Sequence, residues 1–241
     1  MGIQRRDDEL TAPAAEPDNA GELDAITVKV LSKLSDSGFF PAPRFEPERF
    51  RELDGLVRRS FEVPHTTMTA LTRRVMFGIA ATAKPRTTVV LGSFVGYAAV
   101  WLFGPALLPE PLFQAANMVA CDLFAPAIAQ ATRNFSAFSG HEAVDLRAQD
   151  ARDLLAGFSQ PIDLLYIDVD DAETGKRMYA DLLNAALPSL RHGALVLAHD
   201  VTHPFYVQDV ASYQSLVRDR RLFQKTATLG LDPCGLEVTL V

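Results

Sequence analysis

Between Arg86 and Glu110 the chain carries no charged residue, and this stretch, which contains VVLGSFVGYAAVWLFG at residues 89–104, constrains the fold more than any other. Gly92 and Gly96 are spaced G-x-x-x-G, so hydropathy alone would allow a membrane helix. The rival reading is a buried strand (TTVVLG), a glycine turn (SFVG) and a buried helix (YAAVWLF), which together form a binding loop. The surrounding pattern decides between them. A lone apolar helix would leave the strands that follow without the first member of their sheet.

Those strands are visible from Thr87 onward, where short apolar runs alternate with helical periods. TTVVLG, NMVACD, AVDLRAQ, IDLLYID and ALVLAHD are each followed by a helix or loop pattern, as repeated βα units require. Strands covered on both faces show unbroken apolar runs, and these do. LFQKTATLGLDPCGLEVTLV closes the chain as two strand-like runs around a GLDPCG turn, an expected antiparallel hairpin. The fold class is therefore α/β, a doubly wound, mostly parallel sheet with an antiparallel C-terminal hairpin, and no internal repeat is visible.

Upstream, residues 1–22 are acidic and Pro/Ala-rich, and are expected to be a disordered tail. Residues 23–36 place Leu23, Ile26, Val30, Leu31 and Leu34 on one helical face. Phe45 to Arg59 suits a second amphipathic helix, and TTMTALTRRVMFGIAAT after Pro64 suits a third with a capping threonine. Residues 23–83 are thus read as a helical cap on an α/β core at 87–241, one domain in all. With 241 residues, two comfortable domains do not fit.

A net charge of −7 without a local Lys/Arg cluster argues against a nucleic-acid partner. Charged residues at 22% and apolar ones at 48% suit a soluble chain, so no membrane partner is expected. Two cysteines, Cys121 and Cys234, are too few for a disulfide framework, which fits a reducing cytoplasm. The paired arginines near the start have no apolar run behind them and do not form a secretory signal pattern.

The stretch VVLGSFVGYAAVWL resembles the first motif of the class I S-adenosylmethionine-dependent methyltransferases, in particular the small-molecule O-methyltransferases of the catechol and caffeoyl-CoA type and their bacterial relatives. FEVPHTTMTALTRRVMFGIA is similar to the segment before their first strand, and MVACDLFAPAIAQATRNF to their second strand and helix. PIDLLYIDVDDAETGKRMYADLLNAALPSLRHGALVLAHDV is similar to their fourth and fifth strands, so the resemblance spans about residues 60–202. It implies a seven-stranded Rossmann-like sheet and S-adenosylmethionine as cofactor, bound beyond the carboxyl ends of the central strands.

In that frame Gly92, Ser93 and Gly96 would form the cofactor loop, the glycines leaving room that a Cβ would occupy. Asp122, ending the second strand, would accept both ribose hydroxyls. Asp150 would lie near the adenine, or serve only as a helix N-cap. Val90 departs from the family, which carries Glu or Asp there to hold the cofactor's ammonium group. Loss of one charge-assisted contact, worth roughly 1.5–3 kcal/mol, weakens affinity about tenfold to a hundredfold, or marks a cofactor that has been lost.

The metal-dependent members hold magnesium with an Asp after the fourth strand and an Asp-Asn pair after the fifth, and use a nearby lysine. Here Asp168, His199 and Asp200 fall at the ligand positions and Asp171 at the lysine position. His199 argues against a hard magnesium site and leaves room for a softer divalent metal. Without metal, His199 or Asp200 could act as general base, since an imidazole pKa near 6.5 suits proton transfer. Asp168, Asp170, Asp171 and Glu173 cannot all be buried unpaired.

His65, Thr67 and Asp170 are the candidate substrate contacts, with His203 reaching the site from a loop. Arg73 and Arg74 either meet an anionic substrate or form a solvated helix face. Trp101, Phe103 and Cys121 read as core.

Three functions compete. The first is S-adenosylmethionine-dependent methylation of a small molecule, on oxygen or alternatively nitrogen, in natural-product biosynthesis. The second is a cofactor-free intramolecular displacement that closes a ring, such as aziridine formation of the azinomycin type. The third is a non-catalytic subunit. The N-terminal helices could mediate a homodimer or a partner contact. Fold alone does not choose among these.

Overall fold

The computed structural model describes residues 19–171 and 173–241. Most of the expected 1–22 tail lies outside the described residues.

Helix α1 (Ala20–Asp36) begins three residues before the expected Leu23. Helix α2 (Pro47–Ser60) starts on a proline, whose fixed φ and missing N–H suit the first helical turn. Helix α3 spans Ala70–Ala83, and its capping threonine is Thr69, whose side chain accepts the Thr72 N–H at 3.1 Å. The Thr69 hydroxyl also donates to the Leu231 carbonyl at 2.9 Å, tying the start of α3 to the closing hairpin.

The core then alternates as expected: β1 (Thr87–Leu91), α4 (Tyr97–Leu107), β2 (Asn117–Asp122), α5 (Ala125–Phe135), β3 (Val144–Ala148), α6 (Ala151–Ala156), β4 (Ile162–Ile167), α7 (Tyr179–Ala186), β5 (Leu190–His199), α8 (Ala211–Val217), β6 (Lys225–Leu229) and β7 (Leu236–Leu240). The seven strands lie in the order β3-β2-β1-β4-β5-β7-β6, with β7 antiparallel to both β5 and β6 and the other pairs parallel. One apolar cluster fills the side covered by α1 to α5, and a second fills the side covered by α6, α7 and α8. The uncharged stretch is strand, turn and helix, and no described helix is long and apolar enough to cross a membrane.

Register places the site. Leu91 lies beside Cys121 on one side and Ile167 on the other, and Ile167 lies beside Ala198. The next residues, Gly92, Asp122, Asp168 and His199, therefore emerge together where the strand order reverses between β1 and β4. In a doubly wound sheet that crevice is where ligands bind.

The helical cap is held by buried ion pairs. Arg74 donates to Asp24 of α1 at 2.9 Å, and Arg73 donates to Asp54 of α2 at 2.7 Å. Both guanidinium groups also lie over aromatic rings, Arg74 4.5 Å from the centroid of Phe50 and Arg73 5.5 Å from that of Trp101. This corrects the expectation of a solvated or substrate-facing arginine pair: both side chains are buried. A double arginine in an otherwise apolar helix looks amphipathic in sequence, because the two acids that neutralise it lie 50 and 19 residues away.

Candidate active site

The turn after β1 is shaped by backbone contacts. The N–H groups of Gly92 and Ser93 both donate to the Cys121 carbonyl, at 3.0 and 2.9 Å. Gly92 has φ +82°, and a Cβ there would lie 2.0 Å from the Asp168 carbonyl oxygen. Gly96 has φ +83° and begins α4, and a Cβ there would meet the Phe135 ring at 2.8 Å. Both glycines are thus required by the protein's own packing. The expectation that they clear space for a ligand is corrected to that extent.

A cavity of about 880 Å³ opens above this turn. Gly92, Ser93 and Asp122 line one side, and Asp168, Lys176, His199 and Asp200 the other. His65 and Thr67, from the segment before α3, close the top, while Asp170 and the loop His203–Tyr206 form the far rim. Among the expected site residues, Gly96, Asp150 and Asp171 do not line it. Asp150 caps α6 by accepting the Arg152 N–H at 2.7 Å and pairs with the Arg152 side chain at 2.9 Å. Asp171 accepts the N–H groups of Glu173 and Thr174 at 3.0 and 2.8 Å, closing its own loop.

On the β2 side each Asp122 oxygen accepts one backbone N–H, from Phe94 at 2.8 Å and from Phe124 at 2.9 Å. Those two bonds fix the carboxylate's orientation and leave further lone pairs for a ligand. The Ser93 hydroxyl is buried and has no hydrogen-bond partner among the described residues. A buried hydroxyl in a cavity wall calls for a polar ligand, and the pair fits the hydroxyl and carboxylate groups of a nucleoside cofactor.

The opposite wall is a dense charge cluster. Lys176, which sequence analysis missed, places its ammonium 2.8 Å from Asp168 Oδ1 and 2.8 Å from Asp200 Oδ2. Asp168 also accepts from the Tyr166 hydroxyl at 3.2 Å. His199 presents Nδ1 to Asp200 at 3.3 Å and to Asp168 at 3.5 Å, and Nε2 to Asp232 at 3.1 Å. Asp232 is in turn held by the Thr72 hydroxyl at 2.6 Å and by the N–H groups of Cys234 and Gly235 at 3.0 and 2.9 Å. The signal for Lys176 lay in the sequence: four acids at 168–173 demand a cation, and DDAETGK supplies one in the same loop.

These contacts set the protonation states. Burial would lower the His199 pKa, but hydrogen bonds donated to Asp168 and Asp232 and the charges of Asp168 and Asp200 raise it to about 10. Burial would raise Asp168, yet the Lys176 ammonium and His199 hold it well below the usual carboxylate range. These contacts favour the imidazolium form of His199, whereas the expected general base needs the neutral ring. The Cys121 thiol, pushed up by burial to about 12, is no nucleophile.

A raised histidine pKa stabilises the folded state fully below the unfolded value near 6.5 and loses that contribution as pH rises through the folded value of about 10. The unfolding free energy from urea titrations, and the midpoint with it, should fall across this interval, and the slope should flatten in His199→Gln. A midpoint as steady in the native chain as in the variant would show a neutral ring.

Asp168, His199 and Asp200 bring ligand atoms within 4.8 Å of one another, the spacing a metal site needs. The residues do not fit a metal. An ammonium already lies 2.8 Å from both carboxylates, in the space that an ion held by them would need.

The family described as "Methyltransferase domain" matches residues 89–201. Solved structures similar to the chain include a Klebsiella pneumoniae protein described as an O-methyltransferase (16% identity, covering 91% of this chain and 99% of that one, TM-score 0.63). The methyltransferase PaMTH1 of Podospora anserina, bound to SAH, is 16% identical, with 95% and 98% covered and a TM-score of 0.61. The O-methyltransferase TomG of Streptomyces achromogenes, involved in tomaymycin synthesis and bound to SAM, is 17% identical, with 93% and 99% covered and a TM-score of 0.58. No curated protein sequence matches the chain. Residues 89–201 thus match the methyltransferase-domain family, and the chain shares its fold with these solved structures.

Proposed function

We propose that the chain is an S-adenosylmethionine-dependent methyltransferase that acts on an oxygen atom of a small molecule. One observation carries this reading: a single cavity joins the unpartnered Ser93 hydroxyl and the oriented Asp122 carboxylate to a fixed charge cluster on the facing wall. Asp122 would hold the ribose hydroxyls and Ser93 a polar group of the methionine part. When bound, the cofactor supplies an electrophilic methyl group in line with the acceptor. Catalysis then rests on alignment, with a base to take the acceptor proton.

The contacts of His199 favour its imidazolium form, and Asp168 and Asp200 are paired to Lys176, so that base falls to the cavity-lining imidazole of His65, which packs on Phe94 with ring centroids 5.0 Å apart. The His203 Nδ1 is taken, accepting the Phe205 N–H at 3.2 Å. Natural-product biosynthesis is the proposed setting, shared with TomG, although 17% identity carries the fold and not the substrate.

The test is transfer of a labelled methyl group to a panel of phenols and alcohols sized for the cavity. Label should appear in a small-molecule product, and His65→Ala should lower kcat about 10²- to 10⁴-fold with cofactor affinity unchanged. Label that stays in the cofactor across the panel would count against methyl transfer. An unaffected His65→Ala would count against the base.

A second reading, cofactor-free intramolecular displacement, is favoured by Val90. It is fully buried in the apolar core, so no carboxylate stands where the cofactor's ammonium would be held. Absence of S-adenosylmethionine binding at millimolar concentration would bring this reading forward.

A further inference from the structure

We infer that Lys176 is a built-in cation that takes the place of a divalent metal between Asp168 and Asp200, and so makes this centre independent of metal. The inference does not rest on methyl transfer, because it concerns only what lies between the two carboxylates.

The geometry is that of a filled site. A divalent ion ligated by both carboxylates would sit within about 2.0–2.6 Å of each, in the space from which Nζ makes its two 2.8 Å contacts. Ion and ammonium cannot share it. The ammonium donates to Asp168 at 2.8 Å and to the Tyr179 hydroxyl at 3.0 Å and forms an ion pair with Asp200 at 2.8 Å, and that hydroxyl reaches the His199 carbonyl at 3.2 Å. The nitrogen also lies 4.9 Å from the centroid of Tyr206 and 5.3 Å from that of Tyr179, which closes the site from the side. The lysine side chain is only 2% exposed. Buried and bound to both acids, Lys176 is a positioning residue: it holds Asp168 and Asp200 at a fixed separation, as a metal would.

The loop is built to deliver it. The Asp171 and Gly175 backbones exchange hydrogen bonds at 3.0 and 2.8 Å, and the Asp171 carboxylate accepts the N–H groups of Glu173 and Thr174. Gly175 has φ +59°, and a Cβ there would meet Asp209 Oδ2 at 2.2 Å. The closed turn returns the chain so that residue 176 points back at the ends of β4 and β5. Asp171, standing at the family's lysine position, thus makes the turn that supplies a different lysine.

Removing the ammonium should uncover the site. Mn²⁺ is the probe, read as loss of the free-ion signal in electron paramagnetic resonance. The native chain and Lys176→Arg should bind no Mn²⁺ at this cluster at millimolar concentration. Lys176→Ala should bind about one ion per chain at least tenfold more tightly than the native chain, and its melting temperature should rise with added Mn²⁺. Adding Asp168→Asn to that variant should abolish the gain. If Lys176→Ala fails to fold, Lys176→Gln, neutral and longer, carries the same expectation. Native protein that binds Mn²⁺ in a manner lost with Asp168→Asn would overturn the inference. So would folded Lys176→Ala or Lys176→Gln with no gain. None of these readings requires the cofactor, so a failure of methyl transfer would leave them intact.

Discussion

Gly92→Ala should strongly destabilise the chain. The new Cβ would stand 2.0 Å from the Asp168 carbonyl oxygen and 2.9 Å from the Val169 nitrogen, and both are backbone atoms at the end of the central strand. Neither can swing aside like a side chain. Relief requires β1 and β4 to part, which breaks the bond from the Asp168 N–H to the Leu91 carbonyl at 2.9 Å. The left-handed backbone adds about 1–2 kcal/mol of its own. Gly193 separates the two effects, since it has φ +84° and nothing within 4 Å of a built Cβ. Gly193→Ala should cost only the conformational strain, and Gly92→Ala roughly 3 kcal/mol or more beyond it, measured by urea unfolding. Equal losses would mean that the β1 to β4 contact is looser than described.

Asp54→Ala should cost about 3–5 kcal/mol, because it strands a buried guanidinium. Asp54 is 3% exposed and accepts from Arg73 at 2.7 Å and from Arg58 at 2.6 Å. Arg73 is 2% exposed, and its Nε already lacks a partner among the described residues. Truncation leaves that charge in a buried surround without the oxygen that neutralises it. The solvent-exposed pair of Glu48 with Arg51 is the contrast, with Glu48 84% exposed. Glu48→Ala should change stability by less than about 1 kcal/mol. A small loss for Asp54→Ala would imply that Arg73 escapes to solvent and that α2 is not locked to α3.

The central strands were legible because each is an apolar run bounded by turn residues. The membrane alternative fell on the same pattern. The site was legible only as residues at strand ends: Asp122, Asp168, His199 and Asp200 share one crevice because register aligns Leu91, Cys121, Ile167 and Ala198. Partnerships between elements were not legible. His199 owes its raised pKa to Asp168, Asp200 and Asp232, which come from three separate segments, and no local pattern reports such a meeting. Arg73 and Arg74 were misread for the same reason, since their acids lie on other helices. Gly92 was read as clearing room for a cofactor, whereas the atom that crowds its Cβ position is the Asp168 carbonyl oxygen.

The most direct test of the account is calorimetric titration of S-adenosylhomocysteine into the native chain and into Asp122→Ala. Binding to the native chain with a micromolar Kd, weakened at least about tenfold by Asp122→Ala, is the predicted result. No heat of binding at millimolar ligand, or binding that ignores the loss of Asp122, would contradict it.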